Sequence, residues 1–193
     1  VPSKSGIKLV TVWTNSKTAQ QLPRKNWLEI KTPGWCDVGI LQRMWNQQYR
    51  LVRDVMSTGC DVLFSPGGTL PYSCPLPMVT MSRNMLPFEL DQAALFGFGS
   101  WMWIKMILLR VSQESSLRRA HGIIFLTNYA EQKIRGAIED ISGETVQIAH
   151  GIEDRFRVNP RPQQSLEDIR SKKGSWKLLY ITPQMPYKHQ LEV

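Results

Sequence analysis

The sequence predicts an α/β protein with an open, mostly parallel Rossmann-like sheet and helices on both faces. Three observations carry that expectation. Short apolar runs of strand character alternate with stretches of helical period along residues 7–149, and such alternation calls for parallel strands joined by helical crossovers. The run "IIFL", residues 123–126, is apolar at every position, as a strand covered on both faces must be. Turn-forming residues, "SPGG" at 65–68 and "SRN" at 82–84, stand where strands leave the sheet.

Each element follows in order. "IKLVTVW" (7–13) and "NWLEIKT" (26–32) read as strands, joined by a polar link containing Pro23. Ile40, Leu41, Met44, Trp45, Leu51, Val52, Val55 and Met56 make a stripe of helical spacing that Gly59 ends. "CDVLFSPGG" (60–68) holds a short strand, and a proline-rich crossing, "LPYSCPLP", leads to "PMVTMSRNMLPFE" (77–89). There a strand at Val79–Met81 ends on Ser82, Arg83 and Asn84. A helix is expected from about Phe98 to Arg119, with apolar residues on more than one face, packed on the sheet on one side and partly exposed on the other. After the strand at 123–126, Asn128 and Glu131 have the spacing of a capping box, and Ile134, Ala137, Ile138 and Ile141 supply a buried helix face. "TVQIAHG" (145–151) reads as another strand.

Beyond Gly151 the texture changes to prolines and scattered charges. Residues 1–154 are expected to form one domain, 155–174 a linker, and 175–193, with the apolar run "WKLLYITP", the start of a second domain.

Composition narrows the function classes. The 193 residues suffice for a hydrophobic core, and 42% hydrophobic against 21% charged residues argues against a disordered or fibrous chain. Cys36, Cys60 and Cys74 form no CxxC pair, which speaks against a disulfide framework or thiolate zinc site and suits a reducing cytosol. The longest apolar run, "FGSWMWIKMILLR", is broken by Lys105 and falls short of the roughly 20 residues a membrane-crossing helix needs. The first ten residues lack the pattern of a secretory signal. The expected location is cytoplasmic, with peripheral contact to the inner face of the membrane left open. The net charge of +8 suits nucleic acid, an anionic membrane surface or phosphorylated small molecules. Because the charges are scattered, an ordinary solvated basic surface is the plain alternative.

The usual catalytic signatures are missing. There is no Walker loop, no GxSxG, HExxH or DxD, and the GxG at Gly97 and Gly99 has no strand before it. His121, His150 and His189 are dispersed in sequence, so no metal site is expected. "WMWIK" and "SWK" interleave aromatic and basic residues in a way that could stack bases. The helical spacing of Trp101, Ile104, Lys105 and Leu108 favours anchoring instead, and no nucleic-acid partner is expected.

In open parallel sheets, ligands bind beyond the carboxyl ends of the strands. That rule singles out Gly67, Gly68, Arg83, Asn84 and His150, which are expected to surround one cleft. Arg83 offers a fork of donors, and Asn84 can both give and accept hydrogen bonds to a hydroxyl. Gly67 and Gly68 either let backbone amides approach a ligand or form an ordinary turn.

Five segments in order, "DVLFSPGGTLP", "PMVTMSRNMLPFE", "RRAHGIIFLTNYAEQKI", "VQIAHGIEDRF" and "WKLLYITPQMPYKHQ", resemble the N-terminal half of retaining group 1 glycosyltransferases of the two-Rossmann GT-B type. The likeness covers about residues 55–190. It implies an acceptor-side domain without its first strand and helix, followed by the start of a donor-binding domain. It further implies transfer of a sugar from a nucleotide-sugar donor to a hydroxyl acceptor in polysaccharide or glycolipid biosynthesis, with no metal or cofactor required. The acceptor, a sugar or lipid-linked molecule, would meet Arg83, Asn84, Gly67 and Gly68, while His150 and Gly151 would lead toward the hinge. Catalytic residues are not assigned, and the chain alone would be inactive. The alternatives are a non-catalytic α/β ligand-binding module and, more remotely, a basic nucleic-acid-binding domain.

Overall fold

The computed structural model describes residues 6–159, with 162, 165, 167, 181, 182 and 185–188. Most of the expected strand at 176–183 and most of the expected linker lie outside the described residues.

Strands β1 (Val10–Trp13), β2 (Leu28–Lys31), β3 (Leu63–Ser65), β4 (Met78–Ser82), β5 (Gly122–Phe125) and β6 (Glu144–Gln147) alternate with helices. The helices are α1 (Ser16–Ala19), α2 (Ile40–Ser57), α3 (Leu90–Ala94), α4 (Trp101–Arg119) and α5 (Asn128–Ala137). The strands form two parallel sheets, one of β1 and β2 and one in the order β3-β4-β5-β6. The fold is therefore α/β and Rossmann-like, with the strands divided between two sheets. By contacts the chain falls into two compact units. The first holds residues up to Ser65 and Leu70–Val79; the second holds Pro66–Thr69 and residues from Thr80 onward.

In the first unit β1 and β2 pair in parallel from Val10 opposite Leu28 to Trp13 opposite Lys31. Asn15 caps α1 by accepting the Thr18 N–H at 2.8 Å. Asp37 accepts two hydrogen bonds from Ser16, from the hydroxyl at 2.6 Å and from the backbone N–H at 3.0 Å, tying α1 to the turn that precedes α2. In that turn the Trp35 indole N–H donates to Asp54 of α2 at 2.9 Å.

The helical stripe expected on α2 is not buried as a set. Val55 is 1% exposed and Asn46 is buried, whereas Trp45 and Met56 face solvent. The reason is local: a helix buries whatever face its neighbours cover. The turn at Gly34–Cys36 takes Asn46, whose amide reaches the Trp35 carbonyl at 3.4 Å, while Trp45 lies against Tyr49 with ring centroids 4.8 Å apart.

In the second unit α4 starts at the cap Ser100, whose hydroxyl accepts the Trp103 N–H at 3.2 Å, so Phe98 lies before the helix. Met106, Gln113, Ser116 and Leu117 form its buried side. α4 packs on α3 and on the 3-10 turn Leu86–Phe88, which the periodicity did not anticipate because both elements are under two turns long. Ile123 and Phe125 of β5 are buried along with Ala130 and Ile134 of α5 and Ile138 just past its end. The α5 cap is Thr127 rather than Asn128: the Thr127 hydroxyl accepts the Ala130 N–H at 3.1 Å. An extended Thr127, at φ −148° and ψ 155°, already has the backbone that a cap requires.

β5 and β6 pair in parallel from Gly122 opposite Glu144 to Phe125 opposite Gln147. Two further bonds bracket the ladder, Glu144 N–H to the His121 carbonyl at 2.9 Å and Ile148 N–H to the Phe125 carbonyl at 2.8 Å. Gly143 makes this approach possible, because a Cβ there would lie 2.2 Å from the Ala120 carbonyl oxygen. Arg135 joins α5 to β6 through Thr145 Oγ1 at 2.8 Å and pairs with Glu131 at 3.0 Å.

The two Ser16 bonds, first the hydroxyl and then the backbone N–H, hold the Asp37 carboxyl below the ordinary carboxylate range. A pKa depressed in the folded state stabilises fully above the unfolded value, about 3.9, and that contribution is lost as pH falls through the folded value. Urea unfolding compared near neutrality and in acid should therefore show a smaller loss on acidification for Asp37→Asn than for the parent. An equal loss in both would show that Asp37 does not carry this part of the acid response.

Candidate functional site

The parallel order β3-β4-β5-β6 delivers four strand ends to one edge. Leaving there are Pro66–Thr69 after β3, Arg83 and Asn84 after β4, Thr127 after β5, and Ile148–Gly151 after β6. All the candidate residues fall within the second unit.

Arg83 and Asn84 are exposed, one and two residues past the buried Ser82. The Asn84 side-chain oxygen accepts the Leu86 N–H at 3.1 Å, an Asx turn that opens the Leu86–Phe88 turn. Asn84 thus has a structural task on its carbonyl side, and its amide hydrogens are what it can offer outward. The turn beyond it is pinned by the buried Pro87 and by Phe88, over whose ring the Arg110 guanidinium sits at 5.9 Å. Arg110 is itself held by Glu114 at 2.6 Å.

The two glycines separate into different roles. Gly68 is buried at φ +76°, and a Cβ there would lie 2.9 Å from the Gln113 side-chain nitrogen of α4. Its lack of a side chain is explained by the fold itself. Gly67 is exposed, with nothing within 4 Å of a Cβ built on it, so the protein's own packing leaves its small size unexplained.

His150 and Gly151 are exposed, two and three residues past the last ladder bond at Ile148. Pairing places them at the same edge as Arg83 and Asn84, with β5 lying between β4 and β6. Two open hollows, of about 370 and 260 Å³, lie instead in the first unit, one beside Trp13, Lys31 and Asp54 and the other between Gln48, Tyr49 and Tyr72.

One polar pair at this end of the second unit escaped the sequence reading. The Tyr129 hydroxyl donates to the Glu89 carboxylate across 40 residues, bringing an acid to the first turn of α5, which leaves β5 at this edge. That bond is the main reason the Tyr129 phenol is held above its ordinary pKa. The Lys133 ammonium lies 5.8 Å from the same ring. No spacing rule links residues so distant, and only the fold of the Leu86–Phe88 turn joins them.

Among the described residues, no group of three His, Cys, Asp or Glu side chains converges as around a metal ion. None of the helices described is long and apolar enough to cross a membrane.

The class defined is an α/β protein with parallel sheets that presents arginine, asparagine, histidine and glycine at a carboxyl edge. Searches of protein-family models, curated proteins and solved structures found no match.

The two glycines make a paired test. Gly68→Ala should destabilise the protein by about 1–2 kcal/mol, the cost of a left-handed non-glycine residue, measured by urea unfolding. Gly67→Ala should stay within about 0.5 kcal/mol of the parent. Equal effects would contradict this division of roles.

Proposed function

We propose that the chain is the acceptor-side domain of a retaining group 1 glycosyltransferase of GT-B type. The supporting observation is the ordered set of motifs whose polar members, at 67–68, 83–84 and 150, follow the ends of β3, β4 and β6 in a parallel sheet. In this reading the edge receives a sugar or lipid-linked acceptor, and a second Rossmann-like domain, of which 175–193 would be the first segment, holds the nucleotide-sugar donor.

Glycosyl transfer joins an acceptor hydroxyl oxygen to the anomeric carbon of the donor while the bond to the diphosphate breaks. The acceptor-side domain's share is to hold that hydroxyl at attacking distance, so that a bimolecular step becomes effectively unimolecular. Arg83 suits an anionic or polyhydroxylated acceptor because its planar fork of N–H donors spans two oxygens at once. With its Oδ1 engaged by Leu86, Asn84 donates from Nδ2 to an acceptor oxygen. Gly67 lets that ligand come close to the loop backbone. Donor-phosphate neutralisation falls to the other domain.

Asn84→Asp separates binding from folding, since the carboxylate still accepts the Leu86 N–H but the amide donors are gone. On an array of free and lipid-linked saccharides, the parent chain should retain a subset of sugars and Asn84→Asp should bind them up to about tenfold more weakly, the worth of one lost hydrogen bond. Its unfolding free energy should change by no more than about 0.5 kcal/mol. Saccharide binding indifferent to Asn84→Asp, no saccharide binding at all, or nucleotide-sugar turnover by this chain alone would each contradict the reading. A retained ligand that is not a saccharide would favour the non-catalytic binding module.

A further inference from the structure

We propose that the outer face of α4 docks on an anionic lipid surface. This proposal goes beyond the transferase reading and does not rest on it.

α4 is apolar on two sides, and only one is used. Met106, Gln113 and Leu117 are buried, while Trp101 is 75% exposed, Leu108 61% and Val111 60%, with Ile104 also open to solvent. Positions 101, 104, 108 and 111 recur at helical spacing, so they form one stripe about 15 Å long. Just before the helix, the exposed Phe98 leans on Trp103 with ring centroids 4.8 Å apart and extends the apolar surface past the helix start. A continuous exposed patch of this kind on a helix marks an interaction face rather than scattered surface hydrophobes.

The charge around the stripe selects the occupant. Lys105 is exposed between Trp101 and Leu108, and Arg118 is exposed near the C-terminal end. Glu114 is the sole acidic residue of α4, and it pairs with Arg110 at 2.6 Å. Glu114 stands three residues beyond Val111, on the flank of the stripe opposite Lys105, so the rim carries Lys105 and Arg118 against one carboxylate that Arg110 already pairs. A second copy would set Lys105 and Arg118 against like charges in a chain that already carries +8. An anionic membrane instead receives Trp101 at headgroup depth. It also takes the aliphatic residues below the headgroups and meets the Lys105 ammonium with its phosphates. Because α4 is too polar to cross a bilayer, the contact is in-plane and reversible.

Cosedimentation of the 193-residue chain with vesicles, of phosphatidylcholine alone or mixed with phosphatidylglycerol, tests this at low and high salt. The parent should bind only the vesicles containing phosphatidylglycerol, and high salt should weaken that binding. Leu108→Glu should lower binding at least about tenfold and Lys105→Ala about fivefold. Circular dichroism checks that each variant is folded, and Val111→Glu serves should Leu108→Glu fail that check. Absence of binding at low salt, equal binding to neutral vesicles, or binding indifferent to both glutamate variants overturns the proposal. So does a lipid-free dimer that Leu108→Glu dissociates, which would assign the face to a second copy.

Discussion

Parallel pairing through β5 is the constraint on which the second unit depends. Ile123 and Phe125 are buried at 1% and 0% exposure, with α5 packed against the strand, so β5 cannot shift register without exposing its core side chains. Its ladder to β6 is closed at both ends, by Glu144 to His121 and by Ile148 to Phe125. Parallel strands then release their chains at the same edge, and the polar residues after β3, β4, β5 and β6 gather there by backbone geometry alone.

α4 is the second organising element, and its buried side holds two of the loops at that edge. Gln113 packs against Gly68 of the loop after β3, and Arg110 lies over Phe88 of the turn that Asn84 opens. The opposite side of the same helix carries the exposed apolar stripe. One helix thus anchors the candidate site from within and presents a second surface outward, which is why its apolar residues do not fall on a single face.

Long elements were legible in the sequence because their period is repeated. α4 and β5 lie within a few residues of the expected bounds, and the polar stop after β4 pointed to the edge that topology later assembled. Features set by a single partner were not legible. Which residues of α2 are buried depends on the Gly34–Cys36 turn, and the choice of Thr127 over Asn128 as cap depends on one extended backbone angle pair. Gly143 looks like any turn glycine until the Ala120 carbonyl is seen beside it. The Tyr129–Glu89 bond joins residues with no sequence relation, and Gly67 and Gly68, identical in the sequence, acquire different reasons from their surroundings.

Native-state amide exchange resolved by residue tests the parallel ladder most directly. The amides of Glu144 and Ile148, which bracket β6, are expected to exchange at the slow rate of the β5 core amides at Ile123 and Phe125, as members of one cooperative unit. Slow exchange at Ile123 and Phe125 beside free-chain exchange at Ile148 would contradict that expectation. β6 would then fray where it should end in register, and His150 would lose its fixed place beside the ends of β4 and β5.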